Sequence, residues 1–367
     1  MPILFYVLII FLLSISLRKN EGDYFLDKHS SIALKGFFVL LIVFSHILGY
    51  LPYNGLLSEP LSWFRAILGQ LCVSFFFFSS GYGIIYSIET KGTLYSKTLI
   101  TNRLLRIIIY AFFGILPFLI FSCAIGNVIK FQDILLSIIG LKSFGNASWF
   151  LFAILYCYFC SSIVFLFNWK HKLFPTLLIT ISVVAYIIIS YFLQRPSYLW
   201  NTIICFPLGM FISLYRERIN FFLSKQKKFS ILGMIITFSG VILFRLLNIK
   251  MSYYFPSIIE MWFSNFFFCL FFVFLTKVFA LKSKALSFIG KKSFAIFIVH
   301  MIVICVFNEF GQFKSVLLTY SLLFILCPLV GILFGYIYEL IDKFLIYYLV
   351  TLNARLIKKD DAPSNFS

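Results

Sequence analysis

Long apolar runs separated by short polar gaps recur along the whole chain. They fall at about residues 2–17, 32–51, 66–87, 104–126, 147–167, 173–193, 198–215, 229–247, 257–280, 294–310 and 316–338. A helix rises about 1.5 Å per residue, so roughly 20 apolar residues cross a hydrocarbon core about 30 Å thick while satisfying their own backbone. The pattern therefore predicts an all-α, polytopic transmembrane helical bundle of 10–11 spans. The alternating ten-residue pattern of a membrane barrel is missing. The first run is short and is followed by Arg18 and Lys19, as in a signal peptide. It lacks a basic leading segment and a small-residue cleavage site, so we read it as a span. The division expected is an extra N-terminal span and cytoplasmic linker over residues 1–30, a membrane domain over 31–340, and a cytoplasmic tail over 341–367. That tail includes an amphipathic helix around 342–352.

Composition agrees with the pattern. The chain is 62% hydrophobic and 12% charged, with mean hydropathy +1.00, which excludes an ordinary soluble domain. A net charge of +18 could suggest nucleic acid. The basic residues instead fill alternate gaps between apolar runs: 24 of the 31 Lys and Arg lie in one set of gaps and 7 in the other. The positive-inside rule then sets the N-terminus outside and the C-terminus in the cytoplasm. All eight cysteines lie within or at the ends of apolar runs and read as packing thiols. Cys157 and Cys160 form a CxxC pair with no second ligand pair to complete a zinc site, so no metal is expected.

Against this apolar background a few polar residues stand out. Lys35 and His46 lie eleven residues apart in the second run, which in a helix puts them on one face, roughly 16 Å apart along the axis. They are either a snorkelling lysine and a packing histidine or a functional pair, since an ionisable group within a span must face protein or water. In the third run, Ser79, Ser80, Gly81 and Gly83 follow a block of four phenylalanines. Small residues there suit close helix packing, and no nucleophile-elbow pattern favours a catalytic serine. Arg103 and Arg106, at i and i+3, are either lipid-headgroup anchors or a fork for the phosphates of a cytosolic donor. Trp149 opens the fifth run, and Pro207 and Gly209 are expected to kink the seventh. Ser293 and His300 share a face two turns apart, and Glu260 and Glu309 sit near the outer ends of their runs.

Together these segments resemble the acyltransferase-3 family of integral membrane acyltransferases. Lys35 to His46, with Gly36 after the basic residue, is similar to the family's basic-x10-His. Phe75 to Gly81 resembles its Phe-rich Ser-Gly motif, Arg103 and Arg106 its RxxR, and FPLGM at 206–210 its F-x-x-G-M. Ser293, Phe294, Phe297 and His300 resemble its SY-aromatic-His pattern. Order and spacing match across about residues 31–340. The chain departs from the family in having Lys35 where Arg is usual. It also has no carboxylate after the Trp149–Leu151 segment, where many members carry one, so the acid partner of the histidine is left open. No SGNH-type esterase segment follows, and a fused second catalytic domain is not expected.

The resemblance implies a membrane O-acyltransferase that moves an acyl group, most often acetyl, from cytosolic acetyl-CoA to a hydroxyl of an extracytoplasmic glycan or glycolipid. The expected setting is a bacterial plasma membrane. Lys35, Arg103 and Arg106 would cradle the coenzyme A phosphates, and His46 would act as general base or carry the acyl group itself. Glu260 is the expected carboxylate partner of His46, because it lies at a similar depth in apolar surroundings. Ser79, Ser80, Gly81, Trp149, Ser293 and His300 are expected to support the site. The bilayer and the acceptor glycan are the expected partners, with no nucleic acid. A lipid-linked glycan polymerase or flippase, or a small-molecule transporter, is the alternative. The first would be expected to carry large Arg-bearing outer loops, and the second would leave the Lys-x10-His and RxxR pairing unexplained.

Overall fold

The computed structural model describes residues 2–20, 24–50, 58–92, 95–96, 98–167, 169–225, 227–250, 254–311 and 316–360. The architecture is a helical bundle whose order follows the apolar runs. The first three helices are α1 (Pro2–Ser16), α2 (Lys28–Tyr50) and α3 (Ser58–Lys91). A π-helical segment at Ile100–Leu105 leads directly into α4 (Arg106–Ala124), followed by the short α5 (Phe131–Ile138). Next come α6 (Ser148–Val164), α7 (Leu173–Phe192), α8 (Cys205–Leu214) and the surface helix α9 (Arg216–Lys225). The last five are α10 (Lys227–Lys250), α11 (Tyr254–Val278), α12 (Lys284–Lys291), α13 (Ser293–Phe310) and α14 (Val316–Asp360). Among the described residues, eight helices are long and apolar enough to cross a membrane, and α6 and α8 are shorter apolar helices.

The bundle is built around α2. The apolar window of α2 is 78% buried inside the protein, against 28% for α4 and α10, so α2 is the axis and those two helices form the rim. Aromatic rings fix its neighbours: Phe38 packs on Phe75 of α3 and on Phe268 and Phe272 of α11, with ring centroids 4.8–5.5 Å apart. Without a hydrophobic driving force between helices in lipid, close approach depends on small residues. Gly36 of α2 faces Gly290 of α12, and a Cβ on either would collide with backbone atoms of the other helix. Gly81 of α3 and Gly209 of α8 make the same kind of crossing, where a Cβ would run into the carbonyls of Phe206 and Phe78.

Two short strands tie α1 to the rest. β1 (Leu17–Lys19) pairs antiparallel with β2 (Phe279–Leu281), Arg18 opposite Ala280. The ribbon is extended by Asn20, whose side-chain amide donates to the Thr276 carbonyl at 2.7 Å.

Two expectations for the seventh run are corrected. The seventh run does not form a full span: α8 has ten residues, a rise of about 15 Å, and is entered by a 3-10 turn at Ser197–Leu199. Pro207 lacks the N–H that would bond to Ile203, so it belongs in the first turn of a helix and here marks the start, not a kink. Residues 342–352 are helical, as the continuation of α14, which runs unbroken from Val316 to Asp360. No glycine or proline interrupts the chain between Tyr336 and Asp360 to stop it. Residues 361–367 of the expected polar tail lie outside the described residues.

Candidate functional site

At the end of the bundle where Lys35, Arg103 and Arg106 lie, α2, α3, α4, α6, α13 and the π-helical segment enclose a cavity of about 280 Å³. Lys35, Ser79, Ser80, Arg103, Arg106 and Ser293 all line it, together with Tyr110, Tyr158 and a set of phenylalanines. Residues read separately between Lys35 and Ser293 thus converge on one chamber. The π-helical geometry is part of the reason. It adds an extra residue to the turn carrying Arg103, a distortion that tends to mark functional positions.

The cations of this chamber are held differently. Arg103 donates from Nε to the Tyr95 hydroxyl at 3.0 Å, a neutral partner that fixes the guanidinium without cancelling its charge. Arg106 lies 3.0 Å from Asp342 of α14 through Nε, but off the N–H axis, so the contact is an ion pair rather than an aligned hydrogen bond. The α14 helix is clamped beside it by Tyr338, whose hydroxyl donates to the Tyr110 carbonyl at 2.8 Å and whose ring stacks on Tyr110 at 4.2 Å. Next to the chamber, the buried Lys292 is paired with Glu339 at 2.5 Å.

Ser79 donates to the Phe76 carbonyl of its own helix at 3.1 Å. Gly81 is committed to the crossing with α8, so it acts through packing. Trp149 packs on Phe150 and Tyr198, both centroids at 6.2 Å, and does not line the chamber.

Deeper in the bundle, His46 meets His300, with ring centroids 5.1 Å apart in an edge-on arrangement. His300 is fully buried, and its Nδ1 lies 3.0 Å from the Ile296 carbonyl and 2.9 Å from the Phe297 carbonyl. Because a carbonyl only accepts, Nδ1 carries the proton and Nε2 is left as a lone pair, buried and without a partner among the described residues. The backbone of α13 thus fixes the tautomer of His300, the task often given to a carboxylate. His46 turns towards α13, and Arg65 of α3 is its charged neighbour.

Glu260 is not brought to His46. It lies in the first turns of α11, with Oε2 buried and unpartnered, and no carboxylate among the described residues forms an ion pair with His46. The reason is rotational: α2 meets α11 through Phe38, and the 80° between Phe38 and His46 carries the imidazole away towards α13. Glu309 is exposed at the end of α13. Sequence reading did not single out Tyr95, Tyr110, Tyr158 or Asp342. Only Asp342 left a signal, as one of two acids, with Glu339, close after the last apolar run.

No curated protein and no solved structure matches this chain. A family model described as an acyltransferase domain matches residues 23–352, which takes in every residue of the chamber and both histidines. The chain therefore belongs to the acyltransferase-3 family, as a membrane acyltransferase.

Proposed function

We propose that this protein transfers an acyl group, acetyl in the simplest case, from cytosolic acyl-coenzyme A to a hydroxyl of a glycan or glycolipid on the opposite side of the membrane. One observation carries the reading: Lys35, Arg103 and Arg106 share a chamber whose deep end leads towards the His46–His300 pair. Three cations in the chamber wall suit phosphates, and guanidinium planes suit them best. A volume of about 280 Å³ lies at the lower limit for a small-molecule pocket, which suits the acylated pantetheine arm with the nucleotide outside.

In this mechanism His46 accepts the proton of the acceptor hydroxyl as its oxygen attacks the thioester carbonyl. The new C–O bond forms, the C–S bond breaks, and the proton passes to the departing coenzyme A thiolate. His300, with its tautomer fixed by the α13 backbone, is a positioning residue: its bare Nε2 accepts from a protonated ring nitrogen of His46 and stabilises the imidazolium formed in the step.

The test is transfer from labelled acetyl-coenzyme A by purified protein in lipid nanodiscs, alongside O-acetyl analysis of surface glycans from cells with and without it. Wild-type turnover in His46→Ala, or no thioester consumption by the wild type, would refute the proposal.

A further inference from the structure

The chamber and the histidine pair are separate spaces, and the same type of side chain closes the boundary on three helices. Along α13 the order is Ser293, Phe294, Phe297 and then His300, so Phe297 is the last chamber residue before the histidine. On α3, which runs the opposite way, Ser80 and Ser79 come first and Phe76 lies deepest. On α6, Tyr158 lies at the level of Arg103, Ile154 follows, and Phe150 lies deepest. Phe297 meets both of the other deep rings: it packs on Phe150 at 4.6 Å and on Phe76 at 6.2 Å between centroids. Phe297 alone of the three also touches the far side, with its ring 6.1 Å from that of His300, which in turn lies 5.1 Å from His46. It is 3% exposed, buried between the chamber and the histidines.

We infer that Phe297, with Phe76 and Phe150 beside it, is the specificity-determining floor of the donor chamber: it sets the length of acyl chain that the protein transfers. The inference rests on the proposed donor site. The arm carries the thioester down to the floor, and a short acyl group reaches the histidines when the Phe297 ring swings about its Cα–Cβ bond. A longer chain must occupy the volume that the ring itself fills. In an apolar pocket, a methylene-sized misfit alone discriminates by about 10- to 200-fold, so a phenyl ring across the passage is ample to select for short chains. The floor also keeps the thioester apart from the histidines, and from any water beside them, while no acceptor is bound.

Full-length protein in nanodiscs is assayed with acetyl-, butyryl-, hexanoyl- and octanoyl-coenzyme A, measuring acyl transfer and, without acceptor, release of free thiol. The wild type should prefer the shortest donors. Phe297→Ala should raise the octanoyl-to-acetyl rate ratio at least about tenfold and increase acceptor-free hydrolysis, while coenzyme A binding, measured by calorimetry, stays within about twofold. Phe297→Leu should shift the profile part of the way and serves as the test if the alanine variant is poorly folded. Phe297→Trp should shift it towards acetyl. A length profile unchanged in both Phe297→Ala and Phe297→Leu, with the wild type active, overturns the inference and leaves the proposed function standing. A wild type that consumes no acyl-coenzyme A overturns both.

Discussion

The two arginines of the chamber look equivalent in sequence, and the structure separates them. Arg103 is held by the Tyr95 hydroxyl, a neutral partner, whereas Arg106 already has Asp342 as a counter-ion, so on the proposed function the two would meet a donor phosphate differently. A charge-assisted hydrogen bond contributes about 1.5–3 kcal/mol, so Arg103→Ala should weaken coenzyme A binding by about 10- to 150-fold. The Arg106–Asp342 pair is about 30% exposed on both sides, and a pair so placed is worth about 0–1 kcal/mol. A phosphate binding to Arg106 must displace that interaction, which lowers the loss in Arg106→Ala by up to about fivefold relative to Arg103→Ala. The sharper consequence is the opposite sign for the carboxylate: Asp342→Asn frees Arg106 and should tighten coenzyme A binding by up to about fivefold. Calorimetric titration of the three variants with coenzyme A in low and high salt decides the matter, with thermal melts as a control for folding. If Asp342→Asn weakens binding without lowering the melting temperature, or if Arg106→Ala costs more than Arg103→Ala, the division of labour described here is wrong.

His46→Ala should abolish transfer with expression and coenzyme A binding intact, while His300→Ala should lower the rate at saturating donor less severely; a single-turnover assay separates the two. Gly36→Val puts side-chain atoms into the backbone of α12, and overpacking of this kind typically costs about 1–3 kcal/mol or more, to be read as a lower melting temperature in detergent. Gly83→Val, at a position with open space, should leave the melting temperature unchanged. Glu260→Gln should leave the pH–rate profile of transfer unaltered, since α11 does not carry that carboxylate to His46, and a displaced profile would show a coupling through the bundle. A single cysteine placed at Gly92 in a cysteine-free background should react with an impermeant thiol reagent only from the cytosolic side.

Much of the architecture was legible in the order of the residues, because lipid imposes a simple rule. Backbone groups within lipid must bond to one another, so all eleven apolar runs reappear in the same order as helices over at least part of their length, the seventh only as the ten residues of α8. Lys35 and His46 on one face, Gly81 at a close crossing, and Arg103 with Arg106 at one end follow from helical periodicity and residue size, which are local properties. The ends of elements were less legible where the decisive feature was a single residue, as with Pro207 at the start of α8, or the lack of one, as in α14. What only the tertiary structure decided is which faces meet. The meeting of His46 with His300, the pairing of Arg106 with Asp342 and the closure of the chamber by Phe76, Phe150 and Phe297 join residues from helices far apart in the chain. Periodicity gives the angle between two side chains on one helix, but it leaves free the rotation of that helix against its neighbours. Glycine crossings and aromatic packing fix this rotation, and it turns His46 away from Glu260 and towards a histidine whose tautomer its own backbone holds.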